Sequence, residues 1–169
     1  MSFENVPSFV YALDQYAEVE GVGRVRCMTW PSGGAFYAYR DAADLGVVVT
    51  SRATSAGSLT WGCVKGAVAG APLRHPFEAD LGFLYGTTGL SAWRRARTWT
   101  ARNVCIFADG EVDCSPTGTG VSGRVALAHA CGQFASGQPF VIESLIGTRF
   151  TGRVAREIAF GRTQPSCRR

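Results

Sequence analysis

Apolar residues along this chain fall in short bursts separated by glycine, and the bursts repeat with the period of strands more often than of helices. Residues 8–20, SFVYALDQYAEVE, and 24–30, RVRCMTW, are separated by GVG, which predicts a hairpin. GGAFYAYRD, residues 33–41, predicts a further strand, and LGVVVTS, residues 45–51, is a short buried run that fits a strand or a helix end. Between residues 51 and 75 small residues dominate and the period blurs, with a helix expected around 53–68. LGFLYG (81–86) and NVCIFA (103–108) predict core strands, and Asp109-Gly110 marks the tip of the turn after the second.

From Val121 to Phe134 the period changes to that of a helix. Ser122, His129 and Gln133 fall within one narrow arc, and apart from Arg124 the remaining circumference is small or apolar. Such a helix is nearly surrounded by protein. After Gly137, QPFVIES (138–144) and TRFTGRVAREIAF (148–160) return to strand; in the latter Phe150, Val154, Ile158 and Phe160 fall on one face and Arg153 and Glu157 on the other. The expected architecture is α/β (α+β), a curved mixed sheet wrapped around one central helix.

Composition narrows the class without naming it. The chain of 169 residues is 46% hydrophobic and 18% charged, which suits one globular domain, and its formal charge of +4 is only mildly basic. The arginine cluster at 94–97, flanked by Trp93 and Trp99, is read as solvated surface in preference to a nucleic-acid contact. Six cysteines, at 27, 63, 105, 114, 131 and 167, show no metal-binding spacing and no disulfide framework, so reduced and mostly buried thiols are expected. No leader-like start and no run of apolar residues long enough to span a bilayer is present, and a soluble cytoplasmic protein without membrane partners is the expectation.

The chemistry concentrates in DCSPTGTGVSG, residues 113–123, a glycine-rich turn between a strand and the buried helix. A helix N-terminus presents backbone N–H groups without carbonyl partners and a partial positive charge, so an anion can dock there. Gly118 and Gly120 let the backbone approach a ligand closely. Asp113 brings a carboxylate to the same place, and an anion site beside a carboxylate fits a zwitterion such as an amino acid. Bracing of the turn by Asp113 is the competing reading, and both stay open here. A P-loop is disfavoured because Lys65, the one lysine, is far away in sequence, and GTGVSG lacks the βαβ setting of a dinucleotide site.

RNVCIFADGEVDCSPTGTGVSGRVALAHA closely resembles the second active-site motif of the proline racemase superfamily, and NVPSFVYALD, GGAFYAYRDAADLG and GQPFVIESLIGTRFTGRV resemble the same family in the same order. The resemblance implies one lobe of a proline racemase/diaminopimelate epimerase-like fold, in which two α/β lobes close over a small cyclic amino acid, proline or hydroxyproline. Racemases of the family place one cysteine at each lobe's helix. At that position this chain carries Thr117, and SPTGTG resembles the trans-3-hydroxy-L-proline dehydratase branch. A threonine hydroxyl is a far weaker acid than a thiol beside a helix N-terminus, so two-base racemisation is disfavoured.

By the same resemblance Thr117 is the candidate catalytic residue, Asp113 receives the substrate amine, the amides of Gly118 and Thr119 hold its carboxylate, and Phe107 forms an apolar wall. No cofactor and no metal is implied. The family's first motif is not matched, since WGCVKG around Cys63 lacks its order and its histidine. Residues 1–169 are therefore expected to be a single domain truncated at both ends relative to the two-lobe enzyme. That domain is expected to be inactive alone, with a homodimer or a complementing lobe as possible partner. His75, His129, Cys114 and Cys131 are assigned structural roles.

Overall fold

The computed structural model describes residues 2–20, 23–45, 64–68, 70, 72–90, 99–107, 110–133 and 135–160. The hairpin expected from the first two apolar bursts forms: β1 (Phe9–Val19) pairs antiparallel with β2 (Gly23–Ser32). β3 (Phe36–Asp41) continues the antiparallel run, and β4 (Leu84–Leu90) then lies parallel to it. β5 (Trp99–Phe107) is antiparallel to β4 along its second half and parallel to β7 (Phe140–Glu143) along its first. β8 (Arg149–Gly152) closes the order β1-β2-β3-β4-β5-β7-β8, and the two-residue β6 (Glu111–Val112) pairs with the end of β5. The sheet is thus mixed, as expected.

One long helix, Gly118–Ala130, lies against this sheet. β3 shows why its sequence carries no polar alternation: Phe36 and Ala38 face one apolar cluster with Phe9, Val25, Val64 and Leu84, while Tyr37 and Tyr39 face another that includes Leu127 of the helix. Both faces are covered, so both need apolar residues. β5 divides its residues in the same way. Ala101 and Cys105 face the helix side, and Val104 and Ile106 pack with Ala42 on the other. The helix buries Val121, Val125, Leu127 and Ala128 between these layers, which fits the expectation that it is nearly enclosed.

Several expectations need correction. The helix runs Gly118–Ala130, so it begins ahead of its apolar period at Val121 and stops before Phe134. Its start is closed by the Val121 N–H donating to the Thr117 carbonyl at 2.7 Å. Its end is set by Gly132 at φ +64°, with the Gln133 N–H bonded to the Ala128 carbonyl at 2.9 Å. The expected long strand 148–160 is extended as β8 only to Gly152, and Phe150 and Ile158 are exposed while Val154 and Phe160 pack on two different apolar clusters. Arg124, counted as the polar exception on the helix, is completely buried. Cys131 is disulfide-bonded, against the expectation of reduced thiols, whereas Cys105 and Cys114 are free. Sequence spacing carries no information on which cysteines meet in space. Residues 46–51 of the expected buried run 45–51, most of the expected helix 53–68 (64–68 are helical), Asp109 and the arginine cluster at 94–97 lie outside the described residues.

Candidate functional site

β5 ends at Phe107, the chain reverses through Gly110 at φ +112°, and residues 113–117 lead into the first turn of the helix. Asp113 is held to the sheet by its N–H, which donates to the Cys105 carbonyl at 2.9 Å. Its carboxylate then organises the turn. Oδ1 accepts the Ser115 N–H at 2.7 Å and Oδ2 accepts the Thr117 hydroxyl at 2.7 Å, while the Ser115 Oγ accepts the Thr117 N–H at 3.0 Å. The bracing role left open by the sequence is therefore present. Each carboxylate oxygen keeps a lone-pair direction beyond the one used by the turn, so bracing and cation binding are compatible.

Thr117 precedes the helix with φ +63° and ψ +114°, a conformation that costs a β-branched residue energy. A threonine at this place ordinarily turns its oxygen onto a first-turn amide. Here the hydroxyl is drawn back to Asp113 and makes no cap bond. The amides of Gly118, Thr119 and Gly120 precede the first intrahelical bond and are left without a cap. A Cβ added at Gly118 would meet nothing within 4 Å, so there is open space beside this residue.

The first turn is seated from below by two tyrosines of β3. Tyr37 Oη lies 2.7 Å from the Thr119 Oγ1, and the Tyr39 hydroxyl donates to the Gly120 carbonyl. Burial raises both phenols well above the ordinary tyrosine range and keeps them neutral. Gly33, in the β2–β3 turn, presses on the same place: a methyl there would sit 2.5 Å from the Thr119 carbonyl oxygen. Asn5 adds a clamp by donating to the Gly33 carbonyl at 2.9 Å and the Ser122 hydroxyl at 2.7 Å.

Cys105 lies on β5 next to the turn, its carbonyl accepting the Asp113 N–H, and is paired across the sheet with Thr88. Burial pushes its thiol up to about 11, so it stays protonated at neutral pH and is no thiolate substitute for the missing cysteine. Further along the helix, Arg124 donates to Asn103 Oδ1 of β5 and stands 5.8 Å over the Phe140 ring, pinning the helix to the sheet. Its guanidinium is lowered to about 9 by burial.

The structure brings Asp113, Thr117, Gly118 and Thr119 into one turn. Phe107 joins through aromatic contacts: its ring stacks on Tyr85 with centroids 6.3 Å apart, and Tyr85 lies 5.5 Å from Tyr37. Ser115, Tyr37, Tyr39 and Cys105 were not singled out from sequence. The alternation of Tyr37 and Tyr39 on one face of β3 was the available signal, but nothing in it says that this face meets the turn. His129 Nε2 is 3.0 Å from Glu157 Oε1 and His75 Nδ1 accepts the Glu78 N–H at 3.0 Å, both within structural arrangements. Among the described residues, no group of three or more His, Cys, Asp or Glu side chains is placed to hold a metal, and no helix is long and apolar enough to cross a membrane.

Comparison with known proteins gives the chain a family. The profile of the family described as proline racemase matches residues 1–166. A trans-3-hydroxy-L-proline dehydratase of Colwellia psychrerythraea is 42% identical over 161 residues, covering 95% of this chain and 45% of the relative. A 3-hydroxyproline 2-epimerase of Burkholderia multivorans is 40% identical over 161 residues, covering 94% of this chain and 47% of the relative. Among solved structures, a hydroxyproline epimerase from Agrobacterium vitis with bound trans-4-hydroxy-L-proline superposes with a TM-score of 0.78 at 28% identity, over 90% of this chain and 45% of that one. The chain thus spans about half the length of the relatives it matches. With a family profile matched along nearly its whole length and the shared fold beside it, this chain belongs to the proline racemase family.

Proposed function

We propose that this chain carries the substrate-holding half of a site for a small cyclic amino acid, of the trans-3-hydroxy-L-proline dehydratase type. The observation that carries the reading is the Thr117 hydroxyl, whose proton is given to Asp113 at 2.7 Å. An alcohol oxygen is far too weak a base to remove the Cα proton, and the proton of this one is held by Asp113 in preference to being offered at Cα. The chemistry it supports is therefore one-sided. A base on a second lobe takes the Cα proton and returns it to the departing 3-hydroxyl, which leaves as water, and the enamine so formed rearranges to the cyclic imine Δ1-pyrroline-2-carboxylate. Asp113 receives the ring ammonium, the Gly118 and Thr119 amides receive the carboxylate, and Phe107 bounds the ring. Residues 1–169 are then one lobe of a two-lobe enzyme. In a lobe taken by itself, water reaching the site would weaken every electrostatic contact.

Incubation with trans-3-hydroxy-L-proline and, separately, with D- and L-proline tests the reaction type. The proposal expects any turnover to release the imine, read by its coloured adduct with an aromatic aminoaldehyde, with no inversion of proline. Inversion of proline by this chain would contradict it. A second reading, a non-catalytic binding remnant, is favoured by the engagement of both Asp113 oxygens within the turn. Imine formation on adding a lobe that bears the family's first motif distinguishes the first reading from the second.

A further inference from the structure

We propose that Tyr37 is a positioning residue for the carboxylate side of this site, acting through Thr119 to hold the amides of the first helical turn in register with an incoming anion. The inference rests on the substrate-holding reading above and adds a residue to it. Tyr37 is fully buried on β3, and its ring is boxed by Tyr39 at 6.2 Å and Tyr85 at 5.5 Å. A ring fixed in this way delivers its hydroxyl to one point. That point is the Thr119 Oγ1, 2.7 Å away.

Thr119 is the second residue of the helix, and its side chain leaves the backbone beside the amides that lack carbonyl partners. An unanchored threonine in a first turn next to two glycines has little to stop it rotating and carrying its amide with it. The bond to Tyr37 removes that freedom, and Gly33 abuts the Thr119 carbonyl as well. Tyr39 secures the next residue through the Gly120 carbonyl. Two tyrosines one strand-period apart thus meet two successive residues of the turn.

The phenol also suits an anion site electrically. Burial, with smaller contributions from the neighbouring Cys105, Tyr85 and Asp113, keeps Tyr37 neutral, so the support beneath the amides adds no negative charge.

The test is a double-mutant cycle on the full chain with pyrrole-2-carboxylate as probe, followed by the amide NMR signals of Gly118, Thr119 and Gly120. Tyr37→Phe and Thr119→Val are each expected to weaken binding by about 3- to 10-fold, the range of one neutral hydrogen bond. The double variant is expected to be no weaker than the worse single one, and Thr119→Ser to keep wild-type affinity. Pyrrolidine, which has the ammonium without the carboxylate, should shift the Asp113 region equally in wild type and Tyr37→Phe; a general structural loss would weaken both probes.

Wild-type affinity in Tyr37→Phe, or losses that multiply in the double variant, would overturn the proposal while leaving the substrate-holding reading intact. Wild-type amides that do not respond to pyrrole-2-carboxylate would overturn the underlying reading and this one with it. Should Tyr37→Phe not fold, the contrast between Thr119→Val and Thr119→Ser decides: equal affinities in those two would overturn the role of the bond.

Discussion

Alanine at Gly33 and alanine at Gly118 are the same chemical change made on opposite sides of one helical turn, and the structure gives them opposite consequences. At Gly33 the new methyl would lie 2.5 Å from the Thr119 carbonyl oxygen, 2.7 Å from the Gly123 nitrogen and 2.7 Å from the Ser122 Cβ. Ordinary contacts between carbon atoms settle at about 3.5–4.0 Å, so the helix must retreat by about 1 Å. Two of the three atoms are backbone, which no side-chain rotation can move aside. Overpacking of this kind costs about 1–3 kcal/mol, and disturbance of the Tyr37–Thr119 or Tyr39–Gly120 bond adds about 1 kcal/mol. A loss of about 2–4 kcal/mol is therefore expected, read in urea unfolding as a lower midpoint at unchanged slope. At Gly118 the methyl meets nothing, and stability should stay within about 0.5 kcal/mol of wild type while affinity for pyrrole-2-carboxylate falls at least about tenfold. A Gly33→Ala protein as stable as wild type would refute the seating of the first turn, and a Gly118→Ala protein with undiminished affinity would refute the placing of the ligand before it.

Three further outcomes follow from the buried groups. The Cys105 thiol is raised by burial to about 11 in the folded chain, so the folded state keeps a proton that the unfolded state loses; stability is unaffected by this group below the unfolded value and falls as pH rises from about 9 toward 11. At one unit above the unfolded value the deficit is about 1.4 kcal/mol, and Cys105→Ala should remove that share of the alkaline slope in urea melts at pH 8 to 11. Arg124→Ala strips Asn103 Oδ1 of its donor and leaves a hole beside Phe140, with an expected cost of about 3–5 kcal/mol by chemical denaturation; Arg124→Met, which refills the volume, should recover much of it. Asp113→Ala frees the Ser115 amide and the Thr117 hydroxyl and should cost about 1–3 kcal/mol, measurable in the same melts.

Much of the sheet was legible because its signals are local. The glycines between residues 20 and 24 separate the apolar runs that pair as β1 and β2, and the unbroken apolar face pattern of β3 demanded cover on both sides. The helix was legible in its middle and displaced at its ends. Gly118 and Gly120 are poor helix formers, yet the helix begins there because β3 and Gly33 hold the turn in place, which is a tertiary effect. Alternation in residues 148–160 suggested one long strand, but period alone does not supply a partner, and pairing with β7 ends at Gly152. The motif marks Asp113 and Thr117 as candidates; that they bond to each other, and that Tyr37 meets Thr119 two residues further on, depends on which strand ends meet and has no local signal.

The central claim is that the turn from Asp113 to Thr119 holds a cyclic amino acid through an ammonium and a carboxylate contact. Calorimetric titration of the full chain with L-proline, which carries both the ring ammonium and the carboxylate, in parallel for wild type and Asp113→Asn, tests it most directly. Binding that is saturable in wild type and weakened by about tenfold or more in Asp113→Asn, with the variant still folded, is the expected result. No binding by folded wild type, or equal binding by both proteins, would contradict it.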